Sequence, residues 1–87
     1  MITGKAFFTN AVSNISPDVS RQVEWSMAIS DRLAAILKER QLTQRDLARA
    51  LHCSAPEVSR WLSGTHNFTL ATLAKISAAL NTDLIHI

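Results

Sequence analysis

The sequence predicts an all-α fold: a bundle of four to five helices with a short C-terminal segment of strand character. Three observations lead there. Apolar residues recur at three- and four-residue spacing through most of the chain. Four of the predicted helices open on a start signal, at Ser16-Pro17-Asp18, Thr43, Ser54 and Thr69. The 87 residues include two Gly, two Pro and no Tyr, which argues against a β-fold full of tight turns.

Residues 1–15 carry Phe7, Phe8, Val12 and Ile15. The spacing 8, 12, 15 reads either as a short amphipathic helix near 4–14 or as an arm that orders on a partner. Ser16 is the expected N-cap of the next helix, with Pro17 at its first position and Asp18 in its first turn. Trp25, Ile29, Leu33 and Ile36 set an apolar face, so one long helix is expected from 17 to about 40, with Lys38 and Arg40 in its last turn. Trp25 reads as core or as dimer interface.

Thr43 then caps a short helix, 44–51, whose inward residues are Leu47, Ala48 and Leu51. A tight break follows at His52-Cys53. Ser54 opens a helix over 55–62, with Glu57 completing an S-x-x-E capping box and Val58, Trp61 and Leu62 facing inward. Gly64 is the natural left-handed stop. After a loop at 65–68, Thr69 caps a last helix, 70–80, with Leu70, Leu73, Ile76, Ser77 and Leu80 on one face and Asn81 as its stop. Leu84-Ile85-His86-Ile87 is apolar and β-branched, the composition of a strand that needs a second segment or subunit to pair with.

The length allows one domain, expected over 16–87 with its core at 30–81 and residues 1–15 as an arm or short helix. A chain of this size buries roughly 60–65% of its unfolded surface, so a homodimer is a reasonable expectation. At 47% hydrophobic the chain is too apolar for disorder, and no run approaches a membrane span, so no membrane association is expected. A single cysteine, Cys53, excludes an internal disulfide and a Cys-based zinc site and fits a reduced cytoplasmic setting. The charge is informative by placement. Residues 38–60 hold Lys38, Arg40, Arg45, Arg49 and Arg60 against Glu39, Asp46 and Glu57, and elsewhere the charges cancel. The whole excess of +2 lies where a polyanion would be met.

Two short capped helices joined by a tight turn describe a helix-turn-helix over 43–64. Its first helix needs a small residue where the second crosses it, and Ala48 supplies one. Its second must seat a β-branched residue in the junction, which Val58 supplies, and must carry outward side chains for the major groove. The run Thr43-Gln44-Arg45-Asp46-Leu47-Ala48, the Val58-Ser59 and Trp61 centre and the Ser63-Gly64 close resemble, in register, the Cro/repressor-type (XRE) helix-turn-helix family over about residues 30–81. More loosely, the Ser16-Pro17-Asp18-Val19 opening and the Ser63 to Leu70 loop resemble HigA-like antitoxins.

The resemblance implies a lambda-repressor-like bundle and double-stranded DNA as partner, with no cofactor. It places Ala55, Pro56, Ser59 and Arg60 against base edges. Arg60 has the fork for guanine and Ser59 offers one hydrogen bond, while Ala55 and Pro56 suit a thymine methyl. It places Gln44 and Thr43 on a phosphate at a helix N-terminus, with Ser54, and Ser63, Thr65, His66 and Asn67 as further phosphate contacts. Arg45 and Arg49, four apart, add charge. The family favours Gly at the turn where this chain has His52.

The implied function is a dimeric DNA-binding repressor of its own operon. The alternative is an antitoxin that neutralises a toxin protein through protein contacts. An enzyme is not expected: His52 and Cys53 are adjacent at a helix end and cannot both address one substrate, and His52, His66 and His86 lack metal-ligand spacing.

Overall fold

A computed structural model describes residues 16–87. The predicted helix or arm at 4–14 lies outside the described residues. Four helices follow in order: α1 (Pro17–Glu39), α2 (Gln44–Leu51), α3 (Ala55–Trp61) and α4 (Leu70–Leu80). Their bounds fall within a residue of those expected from the caps and the periodicity. No strand occurs among the described residues.

The helix starts follow the cap chemistry, with two differences. Thr43 and Asp46 form a reciprocal capping box: the Asp46 amide donates to Thr43 Oγ1 at 3.0 Å, and the Thr43 amide donates to Asp46 Oδ2 at 2.8 Å. Ser54 makes only half of the expected box, accepting from the Glu57 amide at 3.3 Å. Ser16 is extended but makes no side-chain cap bond to the helix. Its hydroxyl interacts with Asp18 instead, and that bond leads the interactions that hold the Asp18 carboxyl below its ordinary range. The helix start therefore rests on Pro17 and Asp18.

The helix ends share one device. At Gln41, His52 and Asn81 the backbone is left-handed, with φ of 58°, 57° and 53°. Each closes a Schellman pair of bonds. Leu42 and Gln41 amides donate to the Leu37 and Lys38 carbonyls, Cys53 and His52 to Ala48 and Arg49, and Thr82 and Asn81 to Ser77 and Ala78. No glycine serves any of these three stops. Gly64, with φ +90°, follows α3, which ends at Leu62 in right-handed geometry.

One core joins all four helices. Leu33, Ile36 and Leu37 of α1 meet Leu47 and Ala48 of α2, Val58 and Trp61 of α3, and Leu73, Ile76 and Leu80 of α4. α2 packs on both α3 and α4. Of the two readings of Trp25 the structure removes the core one, and the expected core position Leu70 is corrected. Trp25 is 64% exposed, because the buried line of α1 runs through Ser26, Ser30, Leu33 and Leu37, and Trp25 lies one residue, or about 100°, out of phase. Leu70 is 73% exposed, because Leu73, Ile76 and Leu80 set the buried face and leave the first residue of α4 on its flank.

The C-terminal segment is corrected in one respect: it pairs as a strand with no segment of its own chain among the described residues. No extended segment among the described residues runs beside it. Side chains hold it instead. Leu84 is buried, its amide donates to Ser77 Oγ at 3.1 Å, and Arg32 donates twice to the Asp83 carbonyl, at 3.0 and 2.9 Å.

Candidate nucleic-acid interface

The candidate surface is built by the turn between α2 and α3. His52 takes the left-handed conformation that a glycine would take there, with its side chain in solvent. Val58, fully buried, and Ala48, small and buried, lie in the core that α2 and α3 share. Trp61 is buried, a core residue rather than a stacking platform. The carbonyl of Trp61 accepts a buried hydrogen bond from Ser30 Oγ of α1. That bond ties the end of α3 to the long helix. The sequence reading missed it, because Ser30 carries no apolar signal and its partner is 31 residues away.

With Val58 and Trp61 turned inward, the opposite side of α3 carries Ala55, Pro56, Ser59 and Arg60. Pro56, Ser59 and Arg60 are exposed and share one face at i, i+3, i+4 spacing, while Ala55 is half-buried. Arg60 stands in the last turn of this seven-residue helix rather than near its N-terminus. α2 begins beside it in sequence with exposed Thr43, Gln44, Arg45 and Arg49. Thr43 uses its oxygen on the Asp46 amide, and Ser54 uses its own on the Glu57 amide, so in each the hydroxyl hydrogen remains for a further acceptor. Arg49 lies 3.8 Å from Asp46 in an exposed pair, too weak to immobilise it. Asp46 is held below the ordinary carboxylate range first by the Thr43 amide, then by the Thr43 hydroxyl, with a smaller contribution from Arg49.

The loop after α3 is knitted by its own side chains. Ser63 Oγ donates to the Arg60 carbonyl at 2.7 Å, lies 3.1 Å from Thr65 Oγ1 and accepts from the Thr65 amide at 3.3 Å. The Ser63 hydroxyl hydrogen is thus spent on closing the helix. His66 is half-buried, its ring edge-on to Phe68 at 4.8 Å, and Asn67 is exposed. Of the basic residues counted in 38–60, Arg40 belongs elsewhere. Its guanidinium donates to the Leu80 carbonyl and holds α1 to the C-terminal end of α4.

The remaining groups with chemical potential are quiet. Cys53 is half-buried, and burial first, then the nearby Glu57 charge, push its thiol up, away from the nucleophilic form. Among the described residues no three His, Cys, Asp or Glu gather as metal ligands, and no helix is long and apolar enough to cross a membrane.

Compared with known proteins, the chain matches a helix-turn-helix family model over residues 33–87. No curated protein and no solved structure matches it. The match covers the end of α1, the two helices of the motif with their turn, and α4 with the tail. The chain belongs to the helix-turn-helix family of the Cro/repressor (XRE) type, a family of DNA-binding regulatory domains.

Proposed function

We propose that this protein is a sequence-specific transcriptional regulator that binds double-stranded DNA as a homodimer and represses its own operon. One observation carries the reading. The turn at His52 and the buried pair Ala48 and Val58 leave a polar, basic face on α2 and α3, opposite the core. In this reading α3 enters the major groove, Arg60 forms a bidentate contact with guanine, Ser59 adds one hydrogen bond, and Ala55 and Pro56 touch a thymine methyl. Thr43, Gln44 and Ser54 contact phosphates at helix starts, Arg45 and Arg49 add charge, and Thr65, His66 and Asn67 meet the backbone beyond α3. Ser63 acts mainly by shaping that loop, since its hydrogen is already donated. Two copies place their α3 helices about 34 Å apart, one turn of DNA.

The test is titration of the purified protein against the DNA upstream of its own coding region and against random DNA, at two salt concentrations. A phosphate-driven complex weakens steeply as salt rises. Arg60→Ala is expected to cost about 1–3 kcal/mol on the specific site and to relax preference at one base pair, whereas Gln44→Ala weakens all sequences about equally. A flat salt response, or equal losses for Arg60→Ala on both DNAs, contradicts the assignment.

A second reading, an antitoxin acting through protein contacts, is favoured by a separate feature. Trp25, Ile29, Phe68, Leu70, Leu84 and Ile87 line an apolar groove of about 610 Å³ formed without α2 or α3. In that case Leu70→Asp abolishes neutralisation of a toxin encoded beside the gene and leaves DNA binding intact.

A further inference from the structure

Arg60, the residue that the DNA-binding reading sets against guanine, stands in the last turn of a seven-residue helix. A helix of two turns does not hold itself in water, and its last carbonyls have no partner within it. A bidentate contact with a base tolerates little looseness, because both bonds require the side chain to be held within about 0.5 Å and 10–20° of one geometry. The end of α3 therefore needs support from outside α3.

Part of that support is local. The Arg60 carbonyl accepts from the Ser63 amide at 3.2 Å and from Ser63 Oγ at 2.7 Å. The next carbonyl, that of Trp61, accepts from Ser30 Oγ of α1 at 2.5 Å, in a buried bond across 31 residues. Ser30 is 2% exposed, and Trp61 is itself a core residue. The residue after Arg60 is thus fixed twice, by its ring in the core and by its carbonyl on Ser30. Met27 lies one turn before Ser30 on the same side of α1. Its Cγ is 3.8 Å from the point where a side chain on Gly64 would begin. Ser30 and Met27 therefore address residues 61 and 64, on either side of the point where the chain leaves α3. As core filler, serine is inferior to alanine: it is a poorer helix former, and its buried hydroxyl costs free energy unless it is bonded. Its bond here is to α3. Both residues precede residue 33, where the family match begins.

We propose that Ser30 is a positioning residue for sequence recognition. It acts without touching DNA. Through the Trp61 carbonyl it holds the last turn of α3 in the orientation from which Arg60 addresses a base, and Met27 backs the chain as it leaves that turn. The proposal rests on the DNA-binding reading and adds to it a residue of α1 outside the motif at 43–64. It separates specificity from affinity. The phosphate contacts assigned to α2 do not depend on the Ser30 bond, so its loss lowers the preference for one sequence rather than binding to DNA at large.

The experiment compares wild type, Ser30→Ala, Met27→Ala and the control Ile76→Val, which trims the core from α4 and leaves the Ser30 bond in place. Far-ultraviolet dichroism and urea unfolding first define a temperature at which the proteins are folded. Met27 is 52% exposed, so its truncation spares the core. Each protein is titrated against the DNA upstream of its own coding region and against random DNA, and amide exchange is followed in the free protein. Ser30→Ala is expected to lower the ratio of the two affinities about five- to tenfold, with the affinity for random DNA kept. It should also speed exchange of the Leu62 and Ser63 amides about tenfold more than that of the α2 and α4 amides. Met27→Ala is expected to lower the ratio by a smaller factor, and Ile76→Val to leave it unchanged. Should Ser30→Ala fail to fold, Met27→Ala alone decides, and an unchanged ratio there overturns the proposal. A ratio that Ser30→Ala leaves at the wild-type value, or that Ile76→Val lowers equally, would overturn it while the DNA-binding reading stands, and the Ser30 bond would then serve stability alone. A wild type with no preference between the two DNAs would instead remove that reading, and the proposal with it.

Discussion

Replacing His52 by glycine is expected to stabilise the protein, and the size of the gain follows from the turn itself. His52 sits at φ 57° and ψ 42°, where its Cβ crowds the following carbonyl. Left-handed geometry costs a non-glycine residue about 1–2 kcal/mol. The imidazole is exposed and makes no hydrogen bond among the described residues, so its removal forfeits little packing. The two bonds that close the helix, from the His52 and Cys53 amides, are backbone bonds and survive the substitution. Against the relief stands the greater freedom of glycine in the unfolded chain, about 0.4–1 kcal/mol. The net gain is about 0.5–1 kcal/mol, or about 2–8 °C in Tm for a domain of this size. Urea unfolding of wild type, His52→Gly and His52→Ala measures it, and the gain should appear as a raised midpoint at unchanged slope in the glycine variant alone. Asn81→Gly, with φ 53° at the same device, serves as a control of smaller gain, because Asn bears left-handed geometry more easily. A glycine variant no more stable than wild type would refute the strain argument. An equal gain for His52→Ala would place the effect in the imidazole rather than in the backbone.

Asp46→Asn removes the acceptor that holds the Thr43 amide. Because the Asp46 carboxyl is depressed, mainly by that amide, its contribution is complete at neutral pH and is lost as pH falls below the ordinary aspartate value of about 3.9. The Tm difference between wild type and Asp46→Asn should therefore close on acidification, and a difference that stays constant would argue against the capping box as its source. Ser30→Ala leaves the Trp61 carbonyl without its partner in a buried setting and is expected to cost about 1–2 kcal/mol in urea unfolding. A cost near zero would mean that the bond does not anchor α3.

The helices were legible because their start signals are local. Thr43, Ser54 and Thr69 each accept from an amide three residues on, an interaction contained within four consecutive residues. The left-handed stops at His52 and Asn81 were legible for the same reason. Gln41 was not, because glutamine has no special tolerance for that geometry; the Leu42 bond back to Leu37 and the burial of both ends impose it. Arg60, Ser59 and Gln44 were placed on the surface by periodicity and by the family's register, and the fold exposes all three.

What the sequence determined by itself was the set of four helices, the turn at His52 and the family, all properties of short runs whose physics is complete within one or two turns. Tertiary structure alone decided three further matters. It chose Ser26 and Ser30 over Trp25 for the buried side of α1, since burial depends on the phase at which a helix meets its neighbours. It assigned Arg40 to the Leu80 carbonyl and Ser30 to the Trp61 carbonyl, since hydrogen bonds between residues 31 and 40 positions apart leave no periodic trace. It left the C-terminal segment without a strand partner among the described residues of its own chain, since β-branched composition makes a strand only where a second extended segment runs alongside to receive its hydrogen bonds.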